Sequence, residues 1–206
     1  MTQTLILHEY SPSGNCYKVR LTAALLGLAL ERREYDILNG ETRTPQFLGS
    51  INANGRIPVL QVGDRFIPES NAACFYLADG SALIPEDRFD RADMLRWMFF
   101  EQYSHEPYVA TMRFWVAFVG EGRLSEEQRA QMPARLAAGN VALRLMDDHL
   151  ASRGFFVGGR LTLADIALYA YTQVAGEGGF ELGHYPAVRR WLDAVASTPA
   201  YLPMTA

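Results

Sequence analysis

NGRIPVLQVGDRFIPES, residues Asn54 to Ser70, is the stretch from which the fold can be read. Val59-Leu60-Gln61-Val62 is a short run of strand-forming residues, Gly63-Asp64 is a turn pair, and Arg65-Phe66-Ile67 is a second run. Glycine at the first central position suits a type II′ turn, so the runs are expected to pair antiparallel. Pro58 stands at the entry of the first strand, where its missing N–H costs no ladder bond, and it restrains Ile57 before it. With a cis Ile57-Pro58 bond, the Ile57 N–H and C=O turn out of the sheet and can pair with a peptide-like ligand. Pro68-Glu69-Ser70 then opens a helical pattern through Ala72, Ala73, Tyr76 and Leu77. Glu69 offers a carboxylate to an ammonium group, while the Ser70 hydroxyl and the first-turn N–H groups offer donors to a carboxylate. Opposite partners on adjacent residues fit the zwitterionic end of an amino acid. Read blandly, the same letters are a hairpin-edge proline and an ordinary helix cap.

The chain of 206 residues has room for one large domain or two small ones. Hydrophobic residues make up 49% and charged ones 20%, as in an ordinary globular protein, and a net charge of −4 leaves no basic footprint for nucleic acid. No apolar run approaches the ~20 residues of a membrane-spanning helix. MTQTLILHEY at the start reads as a strand and not as a signal peptide. The two cysteines, Cys16 and Cys74, form no C-x-x-C pair, which argues for reduced thiols in the cytoplasm. There is no metal-ligand spacing, and neither G-x-G-x-x-G nor G-x-S-x-G occurs, so nucleotide binding and serine hydrolysis lack support.

Outward from the central stretch, Leu5-Ile6-Leu7 reads as a buried strand. Ser11-Pro12-Ser13-Gly14-Asn15 is dense in turn residues, and Tyr17, Leu21, Leu25 and Leu28 repeat at helical spacing. A strand passing through a polar turn into a helix N-terminus is a natural place for an anion. Leu30–Ile37 reads as a second strand, and 39–54 holds a short helix starting near Arg43 or Thr44. After Asp79 the pattern becomes all-helical. Pro107 is expected to bend or interrupt the first long helix, and Pro133 to kink or restart the one that the capping box at Ser125 opens. Thr162 with Asp165 forms a second capping box, stapled by Leu161 and Ile166. The tail Tyr201-Leu202-Pro203 is expected to pack loosely.

RIPVL at Arg56–Leu60 followed by Glu69-Ser70, in the first third of such a chain, resembles the glutathione transferase family. The resemblance extends over essentially the whole chain. It implies an α/β thioredoxin-like domain over residues 1–80, a linker over 81–90, and an all-α domain over 91–206 that carries an electrophile site. It implies glutathione as co-substrate, an apolar electrophile, no membrane and a homodimer. In that family the proline loop holds the cysteinyl backbone of glutathione, here Ile57 and Pro58, and the acidic residue and serine hold the γ-glutamyl end, here Glu69 and Ser70. Arg56 and Arg43 are the cations available for the glycine carboxylate. Counting back from Lys18-Val19-Arg20, the family's catalytic serine falls on Ser13. Asn15, which some bacterial relatives use near the sulfur, and Cys16, in the first helical turn, compete for that role. Tyr103, His105 and Phe114, from an aromatic-rich run, are the candidates for the substrate pocket. His105 is equally well read as a core residue bonded to its neighbours.

The chemistry asks little of Ser13. A thiol with a reference pKa near ~8.5 is only a few per cent thiolate at neutral pH. Lowering that value by two takes about 2.7 kcal/mol. One hydrogen bond to a charged group supplies roughly 1.5–3 kcal/mol and a helix N-terminus ~0.3–1 kcal/mol. A hydroxyl beside a helix end therefore suffices, without base or metal. In the competing reading Ser13 only caps the helix. Three other activities fit the same fold: disulfide reduction with glutathione, isomerisation by reversible thiolate addition, and non-catalytic binding.

Overall fold

Strand β1 (Leu5–Glu9) lies inside a four-stranded sheet of order β2-β1-β3-β4, flanked by β2 (Glu31–Glu34), β3 (Val59–Val62) and β4 (Arg65–Pro68). These assignments come from a computed structural model that describes residues 4–206. Met1–Gln3, the start of the stretch read as a strand, lie outside the described residues. β1 pairs parallel with β2 and antiparallel with β3, and β4 pairs antiparallel with β3. The hairpin closes through Gly63-Asp64 with Val62 opposite Arg65. Gly63 has φ 63°, and Asp64 is not in the positive-φ region, as a type II′ turn requires. The second strand is shorter than its charge alternation suggests. Only Glu31–Glu34 pairs, and all four residues are exposed at the sheet edge, where charges discourage further pairing.

Helix α1 (Gly14–Leu25) crosses between β1 and β2. It stops before Leu28, which is exposed, because Gly27 takes φ 66° and ends the helical path. α2 (Pro45–Ser50) starts after Thr44, whose hydroxyl accepts from the Phe47 N–H. α3 (Ser70–Ala78) follows β4 directly and packs against α1.

The described chain divides at Ile84/Pro85, within the 81–90 stretch, and Pro85–Thr198 forms an all-helical unit. In it, α4 (Arg88–Phe100) passes through a π-helical turn (Glu101–His105) into α5 (Glu106–Arg113), with Pro107 in the first turn of α5. Proline has no N–H to donate, and the wider turn absorbs the interruption. α6 (Glu126–Leu150) carries the Ser125–Gln128 capping box and does not restart at Pro133. α7 (Leu163–Thr172) and α8 (Pro186–Ala196) complete it. Asp165 is buried at the start of α7 and accepts from the Thr162 N–H and hydroxyl, the Phe156 N–H and the Trp191 indole N–H. Burial pushes its carboxyl up to about 6.

Residues 199–206 belong with the first unit and not the second. Nor is this tail loose. The Leu202, Met204 and Ala206 carbonyls accept hydrogen bonds from Tyr17 and Arg20 on α1. Among the described residues, no helix is long and apolar enough to cross a membrane.

Candidate functional site

Register brings the candidate residues of the first unit to one end of the sheet. His8 stands opposite Val59 and Val59 opposite Pro68. The exit of β1, the entry of β3 and the exit of β4 are therefore neighbours. The chain beyond these points is the 10–13 turn, the Ile57-Pro58 dipeptide and Glu69-Ser70. The Ile57-Pro58 bond is cis. Pro58 is buried, Ile57 half-buried and Arg56 exposed.

Ser13 is the N-cap of α1: its backbone is extended and its Oγ accepts from the Cys16 N–H at 3.4 Å. That bond uses Oγ as acceptor, so the hydroxyl proton is left to donate. Capping and holding an anion are thus compatible in one side chain. Cys16, read as a rival for the sulfur-holding role because it sits in the first turn, does not fit it. It has 0% exposure, its Sγ accepts from the Tyr10 N–H, and burial pushes its thiol up to about 12. Cys74 is also buried and belongs to the core.

Asn15 is joined to the second helix end, since the Ser70 hydroxyl donates to Asn15 Oδ1 at 3.1 Å. The N-termini of α1 and α3 are therefore linked side by side. Neither has an acidic residue in its first turn, unlike α4, α6 and α7. The partial positive ends of α1 and α3 are not neutralised from within. With its proton on Asn15, Ser70 presents the α3 end mainly through backbone N–H groups, a refinement of the sequence reading.

Glu69 is the N-cap of α3, yet its side chain makes no capping bond. It is exposed, and its φ of 70° is a conformation that a non-glycine residue rarely takes. The turn thus holds a carboxylate outward at a cost in backbone energy. Sequence inspection found Glu69 but had no signal for this strain. Arg43 is exposed and donates to the Asn54 carbonyl at 3.1 Å. It also lies over Gly55, where φ is 62° and a Cβ would come within 2.7 Å of its Nη1. Its first role is to brace that turn.

The three candidates of the helical unit separate. Tyr103 is 84% exposed and Phe114 39%. His105 has 0% exposure, and its Nε2 is 3.0 Å from the Thr172 hydroxyl. His105 is therefore a core residue and not part of a pocket wall. Trp97, from the same aromatic run, packs on Phe100, His149 and Phe156.

Comparison with known proteins agrees with this architecture. Residues 3–79 match the family model described as glutathione S-transferase, N-terminal domain, and residues 97–199 the model described as glutathione S-transferase, C-terminal domain. A crystal structure of a glutathione S-transferase from Pseudomonas fluorescens superposes with a TM-score of 0.93 at 44% identity, over 98% of this chain and 99% of that one. The chain belongs to the glutathione S-transferase family. Among other glutathione S-transferases, number 2 of Anopheles gambiae is 30% identical over 193 residues, covering 91% of this chain and 88% of its own. The same comparison includes a maleylacetoacetate isomerase of Rhizobium meliloti, 29% identical over 171 residues, 82% of this chain and 80% of its own. Glutathione S-transferase relatives thus span more than one reaction.

Proposed function

We propose that the protein is a glutathione transferase that adds the thiolate of glutathione to an apolar electrophile. Glu69 takes the γ-glutamyl ammonium and the N-terminus of α3 its carboxylate. Ile57 pairs with the cysteinyl backbone, and Arg56, with Arg43 behind it, faces the glycine carboxylate. The sulfur lies at the start of α1, where the Ser13 hydroxyl donates to it. The thiolate forms a C–S bond with the electrophilic carbon, whose electron pair leaves with a departing group or collects a proton. Tyr103 and Phe114 are the candidates for electrophile contact, and cytoplasmic location and a homodimer complete the reading.

The observation that carries this reading is the pair of helix ends bridged by Ser70 and Asn15, both free of first-turn carboxylates, with Glu69 held outward beside them. An ammonium partner and two anion-holding helix ends next to an extended backbone segment match the charge pattern of the tripeptide thiolate.

Ser13→Ala tests it. Ultraviolet absorbance of the bound thiolate, titrated against pH, is expected to shift up by about one to two pH units, for loss of roughly 1.5–3 kcal/mol. Turnover falls in step, and the glutathione Kd by calorimetry changes little. Thiolate absorbance and turnover that both survive would move the role to Asn15. Calorimetry showing no glutathione binding by the parent protein would remove the enzyme reading altogether.

The isomerase relative favours a second reading, in which the thiolate adds to a double bond, rotation follows, and elimination returns the thiol. A cis–trans substrate assay separates it from conjugation. A disulfide oxidoreductase working through its own cysteine is disfavoured, because Cys16 and Cys74 are both buried.

A further inference from the structure

The turn that carries Ser13 is held from behind by side chains that the proposed reaction does not use. Glu9, the last residue of β1, has 0% exposure and is ion-paired with two arginines. Arg20 Nε on α1 lies 3.2 Å from Glu9 Oε2, and Arg32 Nε meets Glu9 Oε1. The remaining nitrogens of Arg20 spread in two directions. Nη2 donates to the Ser11 carbonyl at 2.7 Å and to the Met204 carbonyl at 3.1 Å, and Nη1 donates to the Ala206 carbonyl at 2.8 Å. Arg32 repeats the pattern at the rim, with Nη2 donating to Ser11 Oγ at 2.9 Å and Nη1 to the Ala206 carbonyl at 3.2 Å. Tyr17 adds a bond from its hydroxyl to the Leu202 carbonyl at 2.6 Å.

Ser11 is two residues before Ser13, and every polar group it has is held. Arg20 takes its carbonyl, Glu34 its N–H, and Arg32 and Glu34 its hydroxyl. The tail that shares Arg20 with it contributes little buried apolar surface, since residues 199–206 are exposed or half-buried. Directional polar bonds, not core packing, therefore dock it. The chain enters this segment through Ala200 at φ 63°, a left-handed conformation that a non-glycine residue keeps only when both flanks are anchored. A buried ion pair is a poor source of stability compared with apolar packing, but the planar guanidinium fork holds several acceptors at fixed angles. The Arg20 fork ties Ser11 and the tail into one geometry.

We infer that residues 199–206 are a strap, fastened by Arg20, that fixes the Ser11–Ser13 turn and so sets how well the Ser13 hydroxyl stabilises the bound thiolate. This rests on the reading of Ser13 given above. Arg20 is a positioning residue in it: it touches the turn and the tail, not the tripeptide.

The test uses three full-length variants and three readouts. Arg20→Lys keeps a charge for Glu9 but loses the fork, Tyr17→Phe loosens the tail alone, and Ser13→Ala is the reference. The readouts are backbone order parameters of residues 201–206 by NMR relaxation, the glutathione Kd, and the pH titration of bound-thiolate absorbance. In Arg20→Lys the tail backbone loses order, Kd stays within about twofold, and the thiolate fraction below the pKa drops about threefold to tenfold. Tyr17→Phe moves the same way by less, and it decides the matter if Arg20→Lys does not fold. A released tail with an unshifted thiolate titration, while Ser13→Ala shifts it, overturns the strap and leaves Ser13 intact. A tail still ordered in both variants overturns the claim that these bonds hold it. If Ser13→Ala itself leaves the titration unmoved, the reading beneath the inference fails, and the inference with it.

Discussion

Replacing Asp165 is expected to damage the helical unit more than any change at the candidate site. Its Oδ1 accepts from the Phe156 N–H and Trp191 Nε1, both at 3.0 Å, and its Oδ2 from the Thr162 N–H at 2.9 Å and hydroxyl at 3.0 Å. In Asp165→Ala the hydroxyl can turn away, but three buried N–H donors are stranded at roughly 1–3 kcal/mol each. Against this stands relief of the buried charge. The Asp165 carboxyl stays raised to about 6 even with these bonds holding it down, so the ionised group is itself disfavoured by burial and the donors belong at the low end of their range. Three donors there give a net loss of roughly 3 kcal/mol, a large share of a typical domain's ~5–15 kcal/mol.

Asp165→Asn gives the same argument a sign. Because the folded carboxyl holds its proton more tightly than the unfolded one, this group's contribution is fully present below 3.8. It falls as pH rises through about 6 and is flat from about one unit above that. The stability difference between wild type and Asp165→Asn should therefore be largest at and below pH 4 and shrink by about 2 kcal/mol between pH 4 and pH 6. Urea unfolding followed by tryptophan fluorescence measures it cleanly, since all three tryptophans (97, 115 and 191) lie in the helical unit. A loss below about 1 kcal/mol in Asp165→Ala, or a wild-type advantage that grows with pH, would refute the reasoning.

Glu69→Gln is expected to raise the glutathione Kd about tenfold, the loss of one charge-assisted bond, with the bound-thiolate titration unmoved. Because Glu69 is exposed, the effect shrinks as salt is added, and an unchanged Kd at low salt would exclude it as the ammonium partner. Cys16 and Cys74 should resist a thiol reagent in the native protein at mildly alkaline pH and react only on unfolding. Rapid labelling of Cys16 would contradict both its burial and its raised pKa.

Local chemistry in the chain was enough to read much of this. The Gly63-Asp64 hairpin, the Thr44 start of α2 and the capping boxes at Ser125 and Thr162 each depend on residues within three or four positions. Their signals therefore survive in the bare sequence. The helix does not restart at Pro133, because proline propensity is local whereas α6 is also held by its buried face from Gly139 to Leu150. The helical repeat that includes Leu28 overran α1 because periodicity does not register a glycine stop. His105 was ambiguous for the same kind of reason: its letters do not say which way a helix turns it, and the bundle turns it inward against Thr172.

The sequence by itself determined which segments form strands and helices, where they are capped, and which residue types stand at their ends. Tertiary structure decided which of those ends meet. Ser70 finds Asn15 across 55 positions, and Arg20 finds Ala206 across 186. Such pairs follow from strand register and chain return, and no signal within a few residues encodes them.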